Sequence, residues 1–161
     1  MVLLLCSCAY ITKAQGVDEN VPSDVQMQFT EGTFAKAYSI SGQINPFYLR
    51  GDFDGDGKPD YAILVVSKKD QSKGIAIWLS SKKKIFVLGA GSPFKCGGAV
   101  TTNLDFIDYW EVYGKKPVEE GVEAGPPPKL IGEALLVEKR ESASGLIYWN
   151  EIRFVWYQQG D

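Results

Sequence analysis

The densest chemistry in this chain lies in nine consecutive residues, Asp52-Phe53-Asp54-Gly55-Asp56-Gly57-Lys58-Pro59-Asp60. Four carboxylates share this stretch with two glycines, and an apolar run, Tyr61-Ala62-Ile63-Leu64-Val65-Val66, follows at once. Like charges gathered so closely repel one another in a folded loop. A hard cation removes that repulsion. Ca²⁺ takes about six to eight oxygen ligands, and an Asp-x-Asp-x-Asp-Gly loop points alternate carboxylates inward where glycine permits the sharp turn. On this spacing Asp52, Asp54, Asp56 and Asp60 supply carboxylates and Lys58 its backbone carbonyl, with Ca²⁺ as the expected cofactor. The competing reading is a solvated acidic turn, since Asp and Gly are common turn residues. The ligand spacing favours the cation.

The stretch departs from an EF-hand loop, which needs a bidentate Glu at its twelfth position and a helix on each side. Here the twelfth position is Ile63, and the residues around it are apolar and mostly β-branched, which suits a strand. An Asp-x-Asp-Gly-Asp-Gly-x-x-Asp loop that runs directly into a hydrophobic strand resembles the calcium loop of FG-GAP and VCBS-type repeats. The likeness covers residues 48–66 in a single copy, within what looks like a small uncharacterised bacterial exported protein. A β-propeller needs several such repeats, so the resemblance implies a calcium loop and its strand, not a propeller. Arg50-Gly51-Asp52 also spells an adhesion tripeptide. An Asp52 committed to a metal is not free for a receptor, and the tripeptide has no other support.

Several function classes are excluded by composition. The chain has 161 residues, 45% hydrophobic and 23% charged, which fits one soluble domain with a real core. Its net charge of −3 and pI near 5.1 argue against a nucleic-acid or anionic-membrane partner. Lys68-Lys69 and Lys82-Lys83-Lys84 stand at expected turns and read as solvated. There is no histidine, which removes the commonest general base, the Ser-His and Cys-His dyads and the usual zinc ligands.

Residues 1–22 read as an export leader followed by a flexible polar segment. Leu5-Cys6-Ser7-Cys8 resembles a loose lipobox with Cys8 as the acylated residue, which would give a lipid anchor. The alternative is a signal-peptidase site at Thr12-Lys13-Ala14, or a cytosolic N-terminus, because the basic flank of a signal is missing. The apolar run is too short for a transmembrane span. Beyond it only Cys96 remains, so no internal disulfide framework is expected.

Residues 23–161 are expected to form a single antiparallel β-rich domain, mainly β and α+β at the margin, with six to eight strands and a short N-terminal helix. Ser23 and Gln26 fit a capping box for that helix. Residues 61–67, 74–79 and 85–88 form three apolar strands separated by short polar tips, the pattern of a meander. Residues 134–137, 145–149 and 152–157 return to strands, with Asn150-Glu151 at the last turn and Trp149 and Trp156 as core or cross-strand partners. Residues 89–103 are the least regular part; their glycines lack the Gly-Lys-Ser/Thr ending of a phosphate loop. Residues 115–129, with Pro126-Pro127-Pro128, read as an exposed and stiff loop.

Two functions compete. One is an exported, calcium-binding, non-catalytic domain that binds a protein partner, in the manner of an inhibitor or immunity protein, or is structural at the cell envelope. It would be periplasmic, lipid-anchored or extracellular. The other is a carboxylate-dependent hydrolase acting on envelope or extracellular glycans, drawing on Asp105, Asp108, Glu111, Glu119 and Glu133. Such an enzyme needs two carboxylates roughly 5–9.5 Å apart across a groove. Without histidine or a nucleophile constellation, the first reading leads.

Overall fold

The computed structural model describes residues 20–121 and 125–160, so Cys8 and the leader lie outside the described residues. Two short helices, α1 (Gln26–Thr30) and α2 (Gly32–Ala37), precede eleven strands. All strand pairing is antiparallel. The first sheet runs β1 (Tyr38–Ile40), β3 (Asp60–Ser67), β4 (Lys73–Leu79), β5 (Lys84–Gly89), and β2 (Tyr48–Gly51) shares the β1 side of β3. The second runs β11 (Phe154–Gly160), β10 (Ala143–Trp149), β9 (Ala134–Lys139), β8 (Tyr109–Tyr113). A separate hairpin joins β6 (Phe94–Cys96) to β7 (Ala99–Thr101).

The near-continuous apolar run of β3 has a direct cause. Tyr61, Ile63 and Val65 pack with Val21, Val25 and Phe29 of the N-terminal segment, while Ala62 and Leu64 join Leu135, Val137 and Ile147 of the second sheet. A strand covered on both faces needs apolar residues on both, so alternation disappears. The second sheet repeats the device on its far side. Leu146 and Tyr157 turn outward there, against Val118 and Leu130 at the two ends of the proline-containing segment. The Tyr157 hydroxyl accepts the Gly121 N–H and donates to the Gly125 carbonyl, each at 3.0 Å. The stretch expected to be an exposed loop thus covers part of a sheet.

Trp149 belongs to the core between the sheets, with edge-to-face contacts to Phe86 at 5.2 Å and Phe154 at 5.1 Å. Such pairs add to the roughly 1.5–3 kcal/mol gained by burying a large apolar side chain.

Eleven strands exceed the expected six to eight, because β1, β6 and β7 have only three residues each. The β6–β7 hairpin lies inside the stretch expected to be irregular; its turn glycines, Gly97 and Gly98, have φ of 53° and 79°. Helix α1 differs too. It starts at Gln26 with Val25 at its N-cap and no side-chain cap, so Ser23 does not form the expected box.

Candidate metal centre

The acidic loop connects β2 to β3, two strands that pair from Gly51↔Asp60 to Tyr48↔Ile63. Phe53 fixes the loop to the body of the protein: its ring is 1% exposed and belongs to the core between the sheets. With Phe53 turned inward, the carboxylates beside it gather at one point. One oxygen from each of Asp52, Asp54 and Asp60 lies within 4.8 Å of the others, and Asp54 and Asp60 are buried. These three aspartates could hold a metal ion. They are the only group of three or more acidic or thiol side chains so gathered among the described residues.

Each carboxylate has its own set of contacts. Asp52 Oδ1 accepts the N–H groups of Gly55 and Asp56 at 2.9 and 3.0 Å, and its Oδ2 accepts that of Gly57 at 3.0 Å. It therefore organises the backbone of its own loop. Asp60 reaches further: Oδ2 accepts the Phe53 N–H at 3.0 Å and Oδ1 the Ser80 N–H at 2.9 Å, which ties the loop to the β4–β5 turn. Burial pushes the Asp60 carboxyl up to about 6; the Ser80 and Phe53 amides oppose this, and the Asp54 charge adds to it.

Asp54 is the exposed question of the site, though its side chain is wholly buried. Oδ2 pairs with the Lys82 ammonium, which also lies 5.4 Å from the centre of the Trp149 ring. Oδ1 has no hydrogen-bond partner. Among the described residues the only other buried side-chain polar atom so orphaned is Ser80 Oγ, on the residue whose amide holds Asp60. Such groups cost about 1–3 kcal/mol each when left bare. The carboxylate orphan calls for a cation or a donor, and the hydroxyl could meet either a donor or an acceptor.

The loop is also docked on the second sheet. Asp52 N–H donates to Glu133 Oε2, and Glu133 N–H donates to the Asp52 carbonyl, both at 2.7 Å. Gly55 sits at φ 79° against Ile131, where an added Cβ would strike the Ile131 carbonyl, and a Cβ on Gly132 would strike the Asp52 carbonyl. Two glycines thus let two backbones touch.

The expected ligands separate into two groups. Asp52, Asp54 and Asp60 come together. Asp56 is exposed and outside the cluster; its carboxyl is held below the usual range by a Ser81 hydrogen bond and the Lys58 amide, the latter at 2.9 Å from Oδ1. Lys58 is exposed in the same loop. Three of the five carboxylates weighed for hydrolysis have other engagements. Asp108 Oδ1 accepts the Arg140 N–H, Glu111 accepts the Tyr109 hydroxyl, and Glu133 holds Asp52. Lys82 and Glu133 are members of the site that the sequence assigned elsewhere, and Ser80 is one it did not single out. No spacing rule could have joined them, since the loop meets them only through folding.

No helix among the described residues is long and apolar enough to cross a membrane. No family model, curated protein or solved structure matches the chain.

Proposed function

We propose that this protein is an exported, non-catalytic β-domain whose 52–60 loop binds one Ca²⁺, in the manner of FG-GAP and VCBS-type loops. The observation that carries the reading is the convergence of one oxygen each from Asp52, Asp54 and Asp60 within 4.8 Å, together with the buried and unpartnered Oδ1 of Asp54. Three carboxylate oxygens suit a hard cation, and Asp56 and the Lys58 carbonyl are the next oxygens along the loop, with water to complete the set. The metal would fix the β2–β3 connection against the β4–β5 turn and the second sheet. The domain would then serve as a rigid surface for a protein partner, inhibitor- or immunity-like, or as a structural part of the cell envelope. Export rests on the leader read in the apolar N-terminal run, with Cys8 as the candidate anchor; Val21, at the end of the 1–22 segment, packs in the core.

One observation favours a second reading, that the loop is a metal-free clasp. Lys82 already supplies a positive charge to Asp54. Calcium titration decides between them. Affinity in the range typical of extracellular modules, about 10⁻⁴–10⁻³ M, raises the melting temperature at millimolar calcium and is reversed by chelator. A melting temperature unmoved by millimolar calcium leaves the lysine clasp as the function of the loop.

A further inference from the structure

A cavity of about 610 Å³ lies between the edge strands β5 and β11 and under the β6–β7 hairpin. Its volume falls within the ~300–1,000 Å³ of small-molecule sites. Aromatic side chains dominate the wall: Phe86, Phe94, Phe154 and Trp156. Gly145 makes room for the last of these, since a Cβ there would enter the Trp156 ring.

The polar residues that line the cavity are few, and the charged ones are of one sign. Lys95, on the hairpin, and Arg153, at the start of β11, line the cavity, and no carboxylate, carboxamide or hydroxyl side chain does. The Trp156 ring N–H is already given to Gln158 at 3.0 Å. Cys96 contributes a half-buried thiol, raised in pKa by burial. The single ion pair among the described residues is Lys82–Asp54, so neither Lys95 nor Arg153 has an acidic partner there. A third cation, Lys84, stands 4.6 Å from the centre of the Phe86 ring. In a chain of net charge −3, the charged residues lining this cavity are both cations.

We propose that the cavity binds a single-tailed amphipathic anion, an acyl carboxylate, with its tail among Phe86, Phe94, Phe154 and Trp156 and its head between Lys95 and Arg153. The tail removes apolar wall from water. The head takes the charge-assisted hydrogen bonds that a guanidinium fork gives a carboxylate. A cationic head meets no carboxylate on the wall, and a neutral head can take only the weaker hydrogen bonds of an uncharged acceptor.

The test is titration calorimetry of the purified chain with dodecanoate, dodecanol and dodecyltrimethylammonium, each below its micelle concentration. Dodecanoate is expected to bind at one per chain and at least about tenfold more tightly than the alcohol, and the ammonium compound not at all. Arg153→Ala and Lys95→Ala, both at exposed positions, each weaken dodecanoate several-fold and leave dodecanol unchanged. Arg140→Ala, outside the cavity, changes neither. In a Cys6→Ser, Cys8→Ser chain, dodecanoate slows maleimide labelling of Cys96. Equal binding of all three amphiphiles, absence of binding, or indifference to Arg153→Ala and Lys95→Ala overturns the proposal. So does a dimer in solution that Val100→Glu dissociates, which assigns this face to a second copy of the chain.

Discussion

Lys82 Nζ and the Asp54 carboxylate form the one ion pair among the described residues, across 28 positions of sequence, with the Asp54 side chain 0% and the Lys82 side chain 42% exposed. The pair joins the acidic loop to the β4–β5 turn, beside the Ser80 amide that holds Asp60. The buried carboxylate therefore has one oxygen paired to a half-exposed cation and one oxygen bare. A metal at this point would share Asp54 with Lys82 or displace it.

Lys82→Met separates the two cations. In chelator the variant leaves Asp54 buried without a counter-charge, and stability falls by about 1–3 kcal/mol, less than for a fully buried pair because the lysine is half in water. With calcium the same variant gains, since the metal no longer competes with the ammonium, and the dissociation constant falls by roughly tenfold. Melts with chelator and with graded calcium read both effects. A calcium affinity unchanged by Lys82→Met sinks the competition.

The clustering ranks the ligands. Asp54→Ala removes the buried oxygen that has no other partner and is expected to abolish the calcium-dependent stabilisation, about 0.5–1.5 kcal/mol at millimolar calcium. Asp56→Ala removes an exposed carboxylate that lies outside the cluster and should leave more than half of that increment. Asp108→Ala should leave all of it. Calcium-dependent shifts lost equally in the Asp54 and Asp56 variants would mean that the loop closes further around the ion than the three-aspartate cluster implies.

Asp60 gives the loop a pH signature. Its carboxyl titrates at about 6 in the folded chain against an ordinary value of 3.8. Between those values the folded state holds the proton that the unfolded state has lost. Its contribution therefore favours folding at low pH, and that contribution is lost as pH rises from about 4 to about 6. Asp56 and Asp70, held below the ordinary value, act with the opposite sign and in a window below about 4. In chelator, then, the stability of wild type relative to Asp60→Asn should fall as pH rises from about 4 to about 6. Calcium binds the ionised form, so its stabilising effect should grow over the same window. A difference that is flat across it contradicts the burial of an ionisable Asp60.

What the sequence made legible, and what it hid, follows from how local each cause is. The run of β3 was legible as a strand, and it is apolar throughout because every residue from Tyr61 to Val65 is buried against one layer or the other. The Asp52, Asp54 and Asp60 convergence was visible because a loop sets its own internal spacing. Lys82 was read as one of three solvated turn lysines; only the folding of the β4–β5 turn over the loop selects it from Lys83 and Lys84. Glu133 was weighed as a catalytic acid, yet its carboxylate receives the Asp52 amide from 81 residues away. The β6–β7 hairpin escaped notice because three-residue strands flanking two glycines carry too few side chains to show a period.

The docking of the loop on the second sheet can be tested by two glycines of similar conformation. Gly55 and Gly57 have φ of 79° and 81°, a region that costs an L-residue about 1–2 kcal/mol. Around Gly57 there is open space, so Gly57→Ala should cost only that conformational term. At Gly55 the added methyl would strike the Ile131 carbonyl and crowd the Gly132 amide. Both are backbone atoms and cannot rotate away. Gly55→Ala should therefore cost more than Gly57→Ala, by about 1–3 kcal/mol for the overpacking. It should also weaken calcium binding, because a loop pushed off Ile131 strains the reciprocal Asp52–Glu133 hydrogen bonds that set where Asp52 stands. Melting curves in chelator give the first comparison and calcium titration the second. Equal destabilisation by the two variants would show that the loop rests only lightly on the second sheet and that conformation at φ near 80° carries the whole effect.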